Sequence, residues 1–366
     1  MWIYQDKNWP NFTWNTEELT SKLSDIRHHQ GRLLGRMESL GFQFKQEASL
    51  KTLTNDVVKS SAIEGEALNP EEVRSSIARR LGIEIAGLIP ASRDVEGVVE
   101  MMLDATQNSD IALTKDRLFD WHAALFPTGR SGMQKITVAN WRTLESGPMQ
   151  VVSGPIGKEK VHFEAPDADW LEEAMHQFFD WFQNENAIDP VLKAGVAHFW
   201  FVTIHPFEDG NGRIARAIGD MALAIADNSK YRFYSLSSQI EAERQNYYKQ
   251  LEKQQRGTLD ITEWLLWFLN CLGSAIAKAE KSLSRVIYKA ELWEKIGSKQ
   301  INERQRLIIN RMLEDKFEGN MSTSKYAKLA KCSSDTALRD IQDLKEKAIL
   351  VQNAGSGRST SYILSL

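Results

Sequence analysis

The sequence contains few cysteines and no long apolar run. Two cysteines, Cys271 and Cys332, occur among 366 residues without a CxxC pair, so neither a disulfide framework nor a thiolate metal site is indicated. Reduced thiols are typical of cytoplasmic proteins, and we expect that location. No apolar stretch approaches the ~18 residues of a membrane span, and residues 1–14 lack the basic and then apolar pattern of a secretory signal. We therefore expect no membrane partner.

The net charge is small, at −4, but it is unevenly distributed. Residues 275–366 hold 17 Lys and Arg against 11 Asp and Glu, a net charge of +6, whereas the preceding residues hold 28 against 38, a net charge of −10. A basic C-terminal region on an acidic body is compatible with an anionic partner such as nucleic acid. A solvated basic face explains the pattern at least as well, so both interpretations stay open.

Helical periodicity dominates the chain. Apolar residues recur at helical spacing over 16–48 and again over 49–64, where Gly65 follows as a stop signal. Asn69 as a cap, Pro70 at the first helical position and two acids in the first turn predict another helix start. Further helices are predicted near 92–107, 115–125, 167–185, 190–204, 213–228, 239–255 and 260–290.

One stretch in the body of the chain breaks the helical pattern. Residues 148–166 contain two short β-prone runs around a turn rich in Gly, Pro and Lys, which predicts a hairpin. The sequence GPIGKE within it lacks the GxxxxGK(S/T) spacing of a phosphate loop.

The C-terminal region has its own pattern. Predicted helices at 302–314, 324–331 and 334–347 precede two β-prone runs joined by Gly-Ser-Gly at 355–357. This order resembles a winged helix-turn-helix, with 334–347 as the recognition helix and Arg358 on the wing. Such modules bind DNA, dock proteins or form dimers, so DNA, protein and homodimer contacts all stay open.

The stretch TIHPFEDGNGRIAR, residues 203–216, combines residue types that a structural segment does not need. His205 precedes Pro206, which disfavours a helical conformation of the residue before it, so a loop is expected between two buried helices. Gly210 and Gly212 let a ligand approach the backbone at a helix N-terminus, where unpaired N–H groups attract anions.

The charged residues of this stretch indicate nucleotide chemistry. Arg213 and Arg216 lie three residues apart and so on one helix face, which suits a di- or triphosphate. Asp209 is suited to hold a magnesium ion that bridges phosphates, and the imidazole of His205 can take a proton from a hydroxyl. The match to a calcium loop fails, because Arg213 stands where an oxygen ligand is needed. The combination predicts transfer from a nucleotide to a hydroxyl.

The sequence HPFEDGNGRIAR matches the Fic-family motif HPFx(D/E)GNGRxxR at every defined position, and the chain resembles Fic proteins over most of residues 1–290. Fic proteins are helical enzymes, most of which transfer AMP from ATP to a Ser, Thr or Tyr hydroxyl of a target protein. The resemblance implies a mainly α protein, a Fic-type helical bundle with a β-hairpin flap followed by a winged helix-turn-helix. It divides the chain into an N-terminal helical region over 1–110, a catalytic core over 111–275, and a linker helix with the winged helix over 276–366.

The resemblance also implies roles for the motif residues, with ATP and magnesium as cofactors. His205 would be the general base, Asp209 the metal ligand and Phe207 a buried anchor. Arg213 and Arg216 would bind phosphates, and Gly210, Asn211 and Gly212 would form the anion hole, with Asn211 contributing its side chain.

Upstream, SSAIEG at 60–65 matches the (S/T)xxxE(G/N) pattern of Fic proteins that are restrained by their own N-terminal helix. The resemblance implies an inhibitory helix at about 49–65, in which Ser60 and Glu64 belong to the inhibitory motif and Glu64 pairs with Arg216. A like-charged γ-phosphate of ATP cannot share such a desolvated pair. The chain departs from many relatives at Glu66, where they have Asn, and no function is assigned to that difference.

Two further regions resemble parts of the family. The hairpin at 148–166 resembles the flap that aligns a target protein by strand addition. Tyr247, Tyr248 and Gln255 lie in a segment similar to the one that holds adenosine, although core aromatics and a solvated amide explain them equally well.

Three alternatives to an autoinhibited AMP transferase stay open. A Fic-fold enzyme could transfer another phosphate-containing group, although the intact arginine pair favours a triphosphate donor. It could also remove AMP when the inhibitory Glu is present. The third alternative is a DNA-binding regulator with an autoregulatory Fic site.

The third alternative is tested by the mobility of a DNA duplex. We expect residues 291–366 to shift it in a salt-dependent manner, because contacts of Lys and Arg with phosphates release counterions. Replacing Arg339, Lys345 and Arg358 should abolish the shift. If no shift occurs at low salt, the C-terminal region docks proteins instead.

Overall fold

The chain folds mainly into α-helices in a computed structural model, which describes residues 1–155, 158–297, 299–313, 317, 319–353 and 360–365. The helices are α1 (Thr16–Glu38), α2 (Phe42–Ile63), α3 (Pro70–Leu81), α4 (Arg93–Gln107), α5 (Lys115–Leu125), α6 (Leu171–Asn184), α7 (Pro190–Ile204), α8 (Asn211–Asp227), α9 (Leu236–Ala242), α10 (Arg244–Gln255), α11 (Thr262–Ile296), α12 (Glu303–Met312), α13 (Thr323–Ala330) and α14 (Ser334–Glu346). The strands are β1 (Arg130–Ser131), β2 (Gln134–Lys135), β3 (Gln150–Ser153), β4 (Lys160–Glu164), β5 (Leu350–Gln352) and β6 (Tyr362–Leu364), and short 3-10 helices cover Ile3–Gln5, Leu144–Ser146 and Ala168–Trp170. The predicted fold class, mainly α with a hairpin flap, is confirmed.

The chain divides into two compact units, Met1–Ser282 and Leu283–Leu366, and the boundary falls within α11. The division into 1–110, 111–275 and 276–366 stays a prediction. Among the described residues, none of the helices is both long and apolar enough to cross a membrane.

Helices α7 and α8 form the centre of the larger unit. Thirteen of the 15 residues of α7 are buried, because the helix is apolar on all sides, as is typical of an interior helix. Residues 213–224 of α8 are also buried without a break. The short loop over 205–210 is therefore held between two helices that cannot move independently of the core.

The predicted boundary between the first two helices is wrong. Helix α1 ends at Glu38, and α2 begins after Gly41, whose backbone is extended (φ −60°, ψ 153°). The apolar periodicity continues on both sides of Gly41 and hides the break. The segment predicted as an inhibitory helix at about 49–65 is thus the C-terminal part of a 22-residue helix, and Glu64 is its C-cap residue.

The predicted helix over 239–255 is also wrong, because it is two helices. Ser235 caps α9 by accepting a hydrogen bond from Ser238 N at 3.0 Å, and Glu243 leaves the helical region (φ −113°, ψ 25°) before α10 begins. Neither side of this break contains Gly or Pro, so the sequence gives no local signal for it.

The predicted hairpin is confirmed as β3 and β4, which pair antiparallel. Phe163 of β4 is buried and packs edge-on against Trp2 and Tyr4, with ring centroids 5.2 and 6.2 Å apart. The first residues of the chain therefore anchor the inner strand of the hairpin, whereas Val152 of β3 remains exposed.

The smaller unit contains α12, α13, α14 and the antiparallel β5–β6 pair around one apolar cluster that includes Ile308, Tyr326 and Ile341. The elements follow the order predicted for a winged helix-turn-helix, and Arg358 lies outside the described residues. Helix α14 carries four acidic and two basic side chains, which does not favour contact with DNA phosphates. DNA or protein binding by this unit stays a prediction.

The contact between α4 and α5 gives a test of the packing. A Cβ atom added at Gly97 of α4 would overlap the backbone carbonyl of Ala124 in α5. We expect Gly97→Ala to destabilise the protein by about 1–3 kcal/mol, because backbone atoms cannot yield as a side chain can. Thermal or urea unfolding measures this loss.

Gly31→Ala is the matched control. Gly31 lies within α1 with nothing within 4 Å of an added Cβ, so alanine there should raise stability slightly through its helix propensity. Equal stability changes for the two variants would contradict the close approach of α4 and α5.

Candidate active site

The loop between α7 and α8 begins and ends in the left-handed backbone region. His205 has φ 54° and ψ 59°, and its N–H still donates to Phe201 O at 3.0 Å. Gly210, with φ 84°, precedes α8, and a Cβ atom there would lie 2.9 Å from the ring of Phe126. Glycine is therefore required at 210. A left-handed residue other than glycine is strained, and such strain is common at functional sites.

The imidazole of His205 is prepared to accept a proton. Its Nδ1 atom lies 3.1 Å from Val202 O, and a carbonyl only accepts, so Nδ1 carries the hydrogen and Nε2 keeps a lone pair. Burial lowers the pKa of His205 to about 4. The ring is therefore neutral at pH 7, as a general base must be.

His205 lines a cavity of about 670 Å³, within the range of about 300–1,000 Å³ that is usual for small-molecule sites. Both strands of the hairpin border this cavity. Its wall also includes Glu64, Asp209, Asn211, Gly212, Tyr247, Tyr248 and Gln255. The structure thus brings the motif, the predicted inhibitory residue and the predicted adenosine residues to one cavity.

Asp209 is held by residues that the sequence does not single out. His122 Nδ1 accepts from Ala139 N at 3.2 Å, so its Nε2 donates to the backbone oxygen of Asp209 at 3.1 Å. Burial lowers the pKa of His122 to about 4, so this tautomer stays neutral. The Asp209 carboxylate accepts from Gly210 N at 2.6 Å and from the hydroxyl of Ser131 in β1.

Two other polar contacts fix the loop. Arg142 is almost fully buried and donates to His205 O at 2.9 Å and to Pro166 O at 2.5 Å, which ties the loop to the residues after β4. Glu208 accepts from both the N–H and the hydroxyl of Thr137, at 3.1 and 3.0 Å. These partners are 24 to 71 residues apart along the chain, so no local pattern could reveal them.

Asn211 makes contacts that close the loop on itself. Its Oδ1 accepts from Phe207 N at 3.0 Å, and its Nδ2 donates to Phe207 O at 2.8 Å. Both ends of the buried amide therefore help to close the loop, and Asn211 also lines the cavity. Its contribution to an anion hole stays a prediction. Phe207 is a buried anchor as predicted, stacked on His122 with centroids 4.2 Å apart.

The two motif arginines are buried at the start of α8. Arg213 is 3% exposed and Arg216 is 1% exposed. Among the residues that the structure describes, Nε of Arg213 and Nη1 of Arg216 have no hydrogen-bond partner. Buried unpaired donors are costly, and a helix N-terminus adds positive partial charge. This end of α8 is therefore suited to an anion.

The carboxylate of Glu64 lies at this anion site. Its Oε1 atom is 2.8 Å from Arg216 Nη2, and it approaches Gly212 so closely that a Cβ there would overlap it. Arg216 also donates from Nε to Ser60 Oγ and from Nη2 to Ser60 O, each at 2.9 Å. The C-terminal end of α2 thus contacts the N-terminal end of α8.

A buried polar network holds α2 in place. Asp56 of α2 accepts from the hydroxyl of Ser235 at 2.6 Å and from Ser237 N at 3.3 Å. Burial, together with the nearby Asp220, raises the pKa of Asp56 to about 8. Arg232 donates from its side chain to Asp220 of α8 at 3.0 Å and from its backbone N–H to Ser49 Oγ of α2 at 3.4 Å, so these bonds join α2 to α8 and to the segment around α9.

The predicted adenosine residues already have protein partners. The hydroxyl of Tyr247 lies 3.0 Å from His198 Nε2, and that of Tyr248 donates to Ile63 O at 3.1 Å, at the end of α2. Gln255 donates to Thr203 Oγ1 at 3.3 Å. Tyr248 therefore supports the end of α2 as well as lining the cavity.

A second carboxylate reaches the other motif arginine. Glu66 Oε2 lies 2.6 Å from Arg213 Nη1. Glu66 and Arg213 are far apart along the chain, so the sequence does not predict that they form an ion pair. The signal in the sequence was the departure from Asn at this position.

Family models match two parts of the chain. The Fic/DOC family model matches residues 112–223, and a domain of unknown function, DUF4172, matches residues 2–83. The solved structure of a Fic family protein from Desulfovibrio desulfuricans G20 is similar with a TM-score of 0.53 and 19% identity, covering 94% of this chain and 96% of that one. This similarity supports the fold.

Curated relatives are named as protein adenylyltransferases. Protein adenylyltransferase fic-1 of Caenorhabditis briggsae is 32% identical over 88 residues, which cover 24% of this chain and 17% of the relative. Protein adenylyltransferase Fic of Nematostella vectensis is 31% identical over 108 residues, covering 29% and 23%. The chain thus spans less than a quarter of the length of these relatives. Residues 112–223, which include the complete motif, belong to the Fic/DOC family.

Proposed function

We propose that this chain is a protein adenylyltransferase, which transfers AMP from ATP to a Ser, Thr or Tyr hydroxyl of a target protein. The observation that carries the proposal is that the short loop between α7 and α8 has a base at one end and an anion-binding helix start at the other. His205 offers a proton-accepting nitrogen at one end, and α8 offers buried arginines with unpaired N–H groups at the other. The names of the curated relatives support the same activity.

The proposed reaction needs little covalent chemistry from the protein. The hydroxyl oxygen of the target forms a bond to the α-phosphorus of ATP, diphosphate leaves, and Nε2 of His205 takes the hydroxyl proton. Arg213, Arg216 and the N–H groups at the start of α8 stabilise the negative charge of the phosphates. The low pKa of His205 keeps the base unprotonated before the reaction.

A magnesium ion would be held by Asp209. Within the described residues, no three His, Cys, Asp or Glu side chains are grouped to bind a metal. Mg²⁺ commonly takes one or two carboxylates and completes its shell with water and phosphates, so a single aspartate fits. Each Asp209 oxygen has a second lone pair beyond its present hydrogen bond. The bound ion would neutralise phosphate charge.

The cavity also suits the two remaining partners. The adenosine would contact Tyr248 and Gln255, which border the cavity together with the buried Tyr247. A target protein would add a strand along β3, whose exposed Val152 lies on the hairpin at 148–166, since main-chain pairing tolerates many target sequences.

We further propose that Glu64 inhibits the enzyme. Its carboxylate occupies Arg216 and covers Gly212, so it lies where phosphates would bind. A buried arginine cannot pair with both groups, because two like charges would then share one site. The wild-type chain should therefore be weakly active.

Replacement of His205 tests the activity. We expect His205→Ala to abolish the transfer of label from ATP to proteins, including this chain, since His205 is the base to which the proposed reaction assigns the hydroxyl proton. Radiolabelled ATP on a cell lysate gives the readout, and the mass of a modified protein separates AMP from UMP or phosphocholine. His28→Ala, at an exposed position of α1, is the control. Incorporation that persists without His205 would contradict the proposal.

Replacement of Glu64 tests the inhibition. We expect Glu64→Gly to raise the transfer rate about tenfold or more, because about 1.4 kcal/mol of regained binding at Arg216 suffices for that factor. Initial rates with a saturating protein acceptor give the measurement. Glu38→Gly, at the exposed end of α1, changes the same residue type at another helix end and should have no effect. A folded Glu64→Gly protein at the wild-type rate would refute autoinhibition.

A further inference from the structure

Glu64 and Glu66 lie on either side of Gly65 at the end of α2, and each pairs with an arginine of α8. Gly65 between them has φ 88°, a conformation that glycine adopts without strain. The N–H of Glu66 donates to Ser61 O at 3.0 Å, which fastens this residue to the last turn of α2. The end of α2 therefore presents two carboxylates, two residues apart, to the first two turns of α8.

Glu66 and Arg213 form a close ion pair in which the arginine is buried and the glutamate is partly exposed. Its atoms are 2.6 Å apart, and the side chain of Arg213 is 3% exposed whereas that of Glu66 is 46% exposed. The guanidinium group of Arg213 also lies over the ring of Phe126, 5.0 Å from its centroid. Glu66 is thus the carboxylate that neutralises a buried guanidinium group from the solvent side.

We propose that Glu66 is a second inhibitory carboxylate, which occupies Arg213 as Glu64 occupies Arg216. The proposal rests on the function proposed above for this site, namely that both arginines bind the phosphates of a nucleotide. With both carboxylates in place, neither arginine has its full charge available to a phosphate. The inhibition is then a property of the turn 64–66 and not of one residue.

The two contacts should be released together. Both carboxylates lie at the end of α2. Two hydrogen bonds hold that end, one from Arg216 to Ser60 and one from Tyr248 to Ile63 O. A displacement of this end would free both arginines at once. Removal of Glu64 alone would leave Arg213 paired, so the phosphate site would be only half restored.

Nucleotide affinity tests this proposal without any transfer. The inactive His205→Ala protein with Glu64→Gln serves as the parent, and Glu66→Gln is added to it. We expect the dissociation constant of ATP, measured by titration calorimetry, to fall about three- to tenfold. The affinity for adenosine should stay the same, because adenosine has no phosphate. Glu66→Ala is the second variant, since glutamine retains a hydrogen-bonding amide.

Two controls separate pairing from a general change of charge. Glu71→Gln removes an exposed carboxylate of α3 and should leave ATP affinity unchanged. In an Arg213→Ala background, Glu66→Gln should have no effect either, because the pair is already lost.

The outcomes are distinguishable. If ATP binds and neither Glu66 variant tightens it, or if the gain persists without Arg213, Glu66 is no second inhibitor and the proposed activity is untouched. If none of these folded proteins binds ATP, the phosphate site itself is refuted, and the proposed function fails with this inference.

Discussion

The site depends on the burial of two guanidinium groups at the beginning of one helix. Arg213 and Arg216 lie in the protein interior, where an uncompensated charge is strongly unfavourable, and each retains an N–H group without a described partner. Such a pair requires anions. The chain supplies two from the end of α2, Glu64 and Glu66, and a nucleotide would supply its phosphates instead. Under the proposed function, the same two side chains would serve both phosphate binding and inhibition.

The fold would favour the proposed competition, because it fixes both the loop with His205 and the end of α2. The almost wholly buried α7 and the first turns of α8 hold the loop with His205, and the strained backbone of His205 is stabilised by the helices around it. Helix α2 is tied through Asp56 to Ser235 and Ser237, and through Ser49 to Arg232, which also donates to Asp220 of α8. A carboxylate on a rigid helix end loses little entropy on pairing, so it can compete with a ligand.

Much of this could be predicted from the sequence where the signal is local. Pro206 marked the end of α7, and the motif placed Asp209, Arg213 and Arg216 near one helix end. The sequence does not show that Asn211 closes the loop, because an amide side chain can bond to the backbone of a loop as well as to a phosphate. Contacts of His122, Arg142 and Glu66 join distant segments, which only the fold brings together. The break at Gly41 was hidden by an apolar pattern that continues across it.

Hydrogen exchange at residues 60–66 tests most directly whether carboxylates and phosphates compete for the two arginines. Backbone amides there should be protected in the free protein, because the end of α2 is held against α8. Saturating ATP should speed their exchange, since displaced carboxylates release the helix end and increase local opening. Unchanged or stronger protection with ATP bound would show that nucleotide and carboxylates occupy separate places, and would contradict control by competition.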